Sequence, residues 1–189
     1  EWYGLRKGKR SDNIRDEFGD NYCTSNPDAT KELAKNVVRS LVDGAWRNVD
    51  ILNFWMMDNL GRWCECENCK KQGSCTDRLF IVVQAVLDEI RKARKEGLLT
   101  REVELSSLAY LDTLTPPTRP LPAGFDYRRF SITYFPIDRC YNHTFADPSC
   151  TEYNERLRRN YEAWVTGRLY TGTMFIGEYY NISYLKSLP

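Results

Sequence analysis

The residues with the most chemistry to offer are seven cysteines, and six of them fall in two groups: Cys64, Cys66, Cys69 and Cys75, then Cys140 and Cys150. Four thiolates in one short stretch can bind zinc tetrahedrally, although a structural zinc site usually draws them from two separated knuckles. The expected arrangement is therefore two local disulfides bracing the loop. A zinc ion on Cys64, Cys66, Cys69 and Cys75 is the alternative, and no other cofactor is implied. Cys140 and Cys150 flank a second loop and suit another disulfide. Cys23 has no evident partner. So many cysteines favour an oxidising compartment, and a secreted, periplasmic or cell-surface location is expected.

Ionisable and aromatic residues gather just past four apolar stretches. Asp58 and Asn59 follow the first, Tyr110 and Asp112 the second, and Arg139, Tyr141 and His143 the third. Glu178, Tyr179, Tyr180 and Asn181 close the fourth. Two carboxylates facing each other can serve as general acid and stabiliser at a glycosidic bond, about 5 Å apart in a retaining pair and roughly 6.5–9.5 Å in an inverting one. One of them must be kept protonated by a drier or more negative setting. Adjacent Asp58 and Asn59 also suit substrate-assisted cleavage, in which the sugar's own acetamido oxygen attacks while the protein supplies an acid and an amide-orienting group. The same Asp-Asn-Leu-Gly run makes a good turn. Asp58 and Glu178 are the candidate catalytic carboxylates. Asn59, Tyr110, Asp112, Arg139, Tyr141, His143, Tyr179, Tyr180 and Asn181 are the candidate substrate-binding residues. His143 is the only histidine, so no multi-histidine metal site can form, and stabilising its loop is its plainer role.

The elements that must hold these residues can be traced from their ends. A helix starts near Ser25-Asn26-Pro27-Asp28, where Ser25 and Asp28 have capping-box spacing and Pro27 suits a first turn, and it stops at Gly44. A second starts near Ser74 or Thr76, carries Leu79, Phe80, Val83, Val86, Leu87 and Ile90 inward, and ends in a basic turn before Gly97. A third runs from about Ser149–Thr151 to Gly167. Strands fall over 49–57, 103–111, 130–137 and 171–179. The order α, β, α, β, β, α, β implies parallel pairing, because each helix supplies a crossover. Residues 112–127, rich in proline, form a long ordered loop. The fold class is thus α/β with parallel βα units in a single domain over 1–189. Four strands amount to about half of a (β/α)8 barrel, or to a small doubly wound sheet, and both remain open. In either, sites gather at the C-terminal ends of the strands.

Bulk properties narrow the partners. Lys and Arg total 27 against 26 Asp and Glu, so no field exists to draw in nucleic acid. No run of apolar residues is long enough for a transmembrane helix. The aromatic content of 13% includes 12 Tyr and 5 Trp, the flat rings that cover the C–H face of a pyranose.

Several runs resemble a domain family of unknown function common in polysaccharide-degrading gut Bacteroidetes. They are Asp58-Asn59 with Trp63-Cys64-Glu65-Cys66-Glu67-Asn68-Cys69, the Thr76-Asp77-Arg78 helix start, and Leu108-Ala109-Tyr110 with Pro116-Pro117. Arg139-Cys140-Tyr141, Cys150 and Glu178-Tyr179-Tyr180 continue the likeness, as does the opening Glu1-Trp2-Tyr3-Gly4-Leu5 with Gly8-Lys9-Arg10. The resemblance implies a (β/α)8 glycoside hydrolase-like barrel related to glycoside hydrolase family 163, the endo-β-N-acetylglucosaminidases. It also implies that the chain is an excerpt whose partners are a glycan substrate and the remainder of the parent barrel. It adds Glu65 to Asp58 and Glu178 as a catalytic candidate. The rival readings are a non-catalytic carbohydrate-binding domain and a zinc-stabilised interaction domain.

Overall fold

The computed structural model describes residues 2–10, 19–58 and 60–179. Asn59, Tyr180 and Asn181, three of the expected sugar contacts, lie outside them. A small hairpin, β1 (Leu5–Arg6) and β2 (Lys9–Arg10), comes first. Its two-residue turn places both Lys7 (φ 47°) and Gly8 (φ 78°) in the left-handed region, as the right-handed twist of a tight hairpin requires. Then follow α1 (Pro27–Val42), β3 (Ile51–Asn53), α2 (Glu67–Lys71), α3 (Cys75–Lys95), β4 (Glu104–Ala109), β5 (Phe130–Tyr134), α4 (Arg156–Thr166) and β6 (Thr173–Ile176).

Strands β3 to β6 form one sheet in the order β3-β4-β5-β6, with every pairing parallel. The α/β class and the parallel βα units expected from sequence are therefore present. The hairpin and α2, both near the cysteines, were not foreseen. The register aligns Leu52 with Leu105, Leu105 with Phe130, and Ile132 with Met174 across the sheet. This row, with Ser107, Ala109 and Tyr134, packs beneath the helices; period-two alternation puts the neighbouring residues on the opposite face. That opposite face carries Asn53, Ser106, Ser131 and Thr173 in one register row and Leu108, Thr133 and Phe175 in the next. It is half-buried to exposed.

The core joins Val37, Val38 and Leu41 of α1 to Leu79, Phe80, Val83, Val86 and Ile90 of α3. Phe80 is fully buried and meets Phe125, Phe130, Trp164 and Tyr170, with ring centroids 5.3–6.4 Å apart. Two buried aromatic tips find acceptors: Trp164 Nε1 donates to Leu114 O (2.8 Å) and Tyr134 Oη to Leu157 O (2.7 Å).

Helix ends explain two local choices. Asn26, not Ser25, caps α1, accepting from the Ala29 amide at 3.0 Å, which leaves Ser25 free to face the cysteines. Ser74 and Asp77 make a full capping box on α3. Asp77 also accepts from the Thr118 amide (2.8 Å), the Thr118 hydroxyl (2.6 Å) and the Arg119 amide (3.1 Å), so this one carboxylate orders the proline-rich loop. The third helix begins later than its sequence signal, because residues Thr151–Glu155 form a turn of π-helix ahead of α4.

Candidate functional site

Two assemblies of functional side chains emerge. The first is a set of four thiols: Cys23, Cys64, Cys66 and Cys69, all within 4.8 Å of one another. Cys23 precedes α1, and the other three come from the loop that leads through α2. Sγ of Cys23 lies 3.7 Å from those of Cys66 and Cys69. Four sulfurs at the 2.3 Å bond length of a tetrahedral zinc site stand about 3.8 Å apart, so the spacing is that of ligands to one ion. All seven cysteines are free thiols. Cys75, the fourth cysteine expected from sequence, sits instead in the first turn of α3 and packs against the main core. Burial pushes its thiol up to about 11. The spacing of Cys64, Cys66 and Cys69 marked the site, but the fourth member comes from a separate segment, which is the two-segment pattern that structural zinc sites favour.

The surroundings suit thiolate. The Leu5 amide donates to Sγ of Cys64 (3.2 Å) and the Cys69 amide to Sγ of Cys66 (3.4 Å). Ser25 Oγ stands 3.3–3.5 Å from the sulfurs of Cys23, Cys66 and Cys69. The Cys23 sulfur hydrogen-bonds Arg10 and raises its pKa further, placing a permanent cation over the cluster. At Cys66, burial opposes ionisation but is outweighed by hydrogen bonds from Ser25, the Cys69 amide and the adjacent thiols, and the group falls to about 6. Burial instead pushes Cys64 up to about 12. A cation bound among them removes this conflict between neighbouring negative charges, so the cluster can hold a metal ion such as zinc. A concavity of about 390 Å³ beside Arg10, Cys23, Ser25 and Cys66 leaves one flank of the cluster open to solvent.

Glu65 belongs to this lobe. Its carboxylate accepts from Arg6 Nη1 (2.5 Å) and from the Lys7 amide (2.7 Å), so it fastens the β1–β2 hairpin to the cysteine loop. Both oxygens are committed there, apart from the strand-end cluster in which Glu178 sits.

The second assembly lies past the C-terminal ends of the sheet strands. Trp55, Tyr110, Phe135 and Tyr179, one residue from each strand end, form a connected group of rings. Trp55 and Tyr110 are 5.6 Å apart, Tyr110 and Phe135 6.4 Å, Tyr110 and Tyr179 6.5 Å, and Phe135 and Tyr179 5.6 Å. Trp55 is steadied by a bond from Nε1 to Thr113 Oγ1 (3.1 Å). The backbone at Leu111 takes φ 47°, an uncommon conformation for a residue with a side chain, immediately after Tyr110.

Beside the rings, Arg139 and Glu178 pair at 2.6 Å with each side chain only 16% exposed. The Arg139 guanidinium also stands 4.7 Å from the Tyr141 ring centroid and 5.0 Å from that of Phe145. Tyr141 Oη accepts from the Tyr179 amide at 2.9 Å. Burial, together with Glu178, raises the Tyr141 phenol. Arg139 Nε and Glu178 Oε2 are buried and, among the described residues, have no hydrogen-bond partner. A donor and an acceptor left over in a buried pair are costly unless a ligand or water answers them.

The expected residues thus divide. Tyr110, Arg139, Tyr141, Glu178 and Tyr179 come together. Asp112 stands at the margin, where Oδ2 accepts from the Gly61 amide (2.5 Å) and ties down the loop after β3. Asp58 is exposed on that loop. His143 is exposed beside Cys140. Trp55, Phe135, Cys23 and Arg10 were missed. The first two continue the apolar strand pattern and read as core, and the last two lie far along the chain from the cysteine loop, so no local spacing links them to it. No family model, curated protein or solved structure matches the chain.

Proposed function

We propose that this chain acts on glycans, as part of a glycoside hydrolase-like (β/α)8 unit related to glycoside hydrolase family 163. The observation that carries the reading is the ring group of Trp55, Tyr110, Phe135 and Tyr179 beside the Arg139–Glu178 pair. Flat rings offer apolar faces to sugar C–H groups, and the pair offers a buried donor and acceptor to hydroxyls or an acetamide. The sheet order supports the barrel reading. It rises β3-β4-β5-β6 without reversal, whereas a doubly wound sheet reverses at its switch point. In a barrel, the helix-free face would be the interior and the ring group would lie at the catalytic end.

In the catalytic form of this reading, Asp58 and Glu178 flank the scissile bond. One observation favours the second form, binding without cleavage: Glu178 is held in the pair with Arg139, while Asp58 is exposed on the loop after β3. The two forms separate in a screen of N-glycoproteins and plant polysaccharides with the parent protein. Glycan release that is lost in both Asp58→Asn and Glu178→Gln supports hydrolysis. Retained glycan binding without release, weakened at least tenfold by Tyr110→Ala, supports binding alone. Neither binding nor release would overturn the reading.

The metal reading is that Cys23, Cys64, Cys66 and Cys69 hold a structural zinc that fastens the hairpin and cysteine loop beside the strand ends. Protein purified without chelator is expected to carry zinc that Cys23→Ser removes and Cys75→Ser does not. Equal zinc in both variants would refute the assignment.

A further inference from the structure

A second convergence of metal-binding side chains lies in the loop between β5 and α4. The sulfurs of Cys140 and Cys150 and a ring nitrogen of His143 are all within 4.8 Å of one another. Sγ of Cys140 is 3.2 Å from Nδ1 of His143. We propose that these three residues form a second metal site, one that takes a zinc-like divalent ion and keeps its fourth coordination position for solvent or an exogenous ligand. The proposal does not depend on the glycan reading.

The loop is built to present these ligands, and polar bonds fix it without any link between the sulfurs. Asn154 is 1% exposed and acts as its centre. Its Oδ1 accepts from the Cys140 amide (2.8 Å), while its Nδ2 donates to the carbonyls of Cys140 (3.3 Å) and Thr144 (3.2 Å). Those bonds set the turn that carries His143 back over Cys140. The Asn154 amide donates to the Cys150 carbonyl (3.1 Å), and the Cys150 amide to the Asp147 carbonyl (3.1 Å). Asp147 Oδ1 accepts from the Ser149 amide (2.8 Å) and hydroxyl (2.6 Å), which secures the last turn before Cys150. The π-helical turn over Thr151–Glu155 is what brings Asn154 under the loop, and such turns recur at functional sites.

The donor set has a definite preference. Two thiolates and one imidazole suit zinc, and three protein ligands with a vacant position are the pattern of reactive zinc sites, not of closed structural ones. At zinc bond lengths, a sulfur and an imidazole nitrogen stand about 3.5 Å apart in a tetrahedron, a few tenths of an ångström more than the pair shows here. Cys150 is buried and His143 exposed, so the ion would be rooted in the protein and reached from solvent. Cys140 lies between Arg139 and Tyr141, which places the ion on the same loop as the strand-end pair.

The test compares metal content of the whole chain, purified without chelator and loaded with zinc, across variants. The first cysteine cluster binds independently, so the reading is a difference. His143→Ala and Cys140→Ser should each carry about one zinc fewer per chain than wild type, whereas Cys75→Ser should not. Cobalt loading of Cys23→Ser should add a thiolate-to-metal band that His143→Ala abolishes. If Cys23→Ser does not fold, the comparison of wild type with His143→Ala stands by itself. Equal zinc in wild type, His143→Ala and Cys140→Ser would overturn the proposal. So would a disulfide between Cys140 and Cys150, found as a cross-linked peptide under non-reducing conditions.

Discussion

Gly177 decides whether the ring group can exist. A Cβ at this position would stand 2.0 Å from a carbon of the Phe135 ring, well inside any allowed contact. Phe135 in turn touches Tyr110 and Tyr179, so its displacement spreads through the group. Gly177→Ala is expected to change the near-ultraviolet circular dichroism of the aromatic residues and to weaken glycan binding at least as much as Tyr110→Ala. An unchanged spectrum with full binding would remove Phe135 from the site. At the first thiol cluster the decisive single residue is Arg10, which is half-buried and faces sulfur. Arg10→Glu sets a negative charge against the thiolates and should make the bound zinc easier to strip, read as faster transfer to a chromophoric chelator. Arg10→Lys should stay near wild type. None of this was legible residue by residue. Glycine at 177 read as an ordinary residue in a strand, and Cys23 read as unpaired, because a spacing argument reaches only along the chain. The thiols at 64, 66 and 69 were legible because all three belong to one loop.

The helix starts were easier to read, and α3 shows why. Its capping box needs only residues three apart, Ser74 and Asp77, and that local chemistry survives folding. What local chemistry could not reveal is that Asp77 serves a second element, the proline-rich loop, through Thr118 and Arg119. Burial opposes ionisation of Asp77, but hydrogen bonds from Thr118 and Ser74 outweigh it and hold the carboxyl below the ordinary aspartate range. The folded state therefore binds a proton less readily than the unfolded chain. The stabilisation is fully present above the unfolded value of about 3.9 and is lost as the pH falls through the lower folded value. Asp77→Ala should cost about 2 kcal/mol near neutral pH, from the lost cap and from donors left in a buried setting. The difference from wild type should shrink in strong acid, measured by urea unfolding across pH. A pH-independent difference would mean that packing, and not the charge, accounts for the loss. The same locality explains the misread start of the third helix. Ser149 and Thr151 look like caps, yet the π-helical turn before α4 is set by Asn154 reaching back to Cys140, a contact across a loop.

At the scale of the whole molecule, the two faces of the sheet have unequal company. One is sealed by helices. The other carries small polar residues over β4 and β5 and exposed apolar ones on the outer strands: Ile51 is 65% exposed on β3, and Phe175 is 55% exposed on β6. Outer strands with open backbone edges and apolar side chains are poorly protected against association. The sequence foretold the parallel βα units, since each strand and helix carries its own period. It could not foretell which face would stay open, because strand patterns of this length are compatible with covering on both sides. If the open face belongs against further strands of a barrel, the 189-residue chain by itself should self-associate through β3 and β6. Replacing Ile51 and Phe175 by Lys should then shift it toward monomer in sedimentation velocity without altering its far-ultraviolet circular dichroism. Supplying the rest of the parent protein should protect the β3 and β6 amides from hydrogen exchange. A wild-type chain that stays monomeric at high concentration, with β6 amides already protected, would mean that the sheet needs no further strands. In that event the ring group would be a surface shelf, not the floor of a cleft. Binding without cleavage would then become the stronger form of the glycan reading, since a shelf lacks the opposite wall from which a second carboxylate could act.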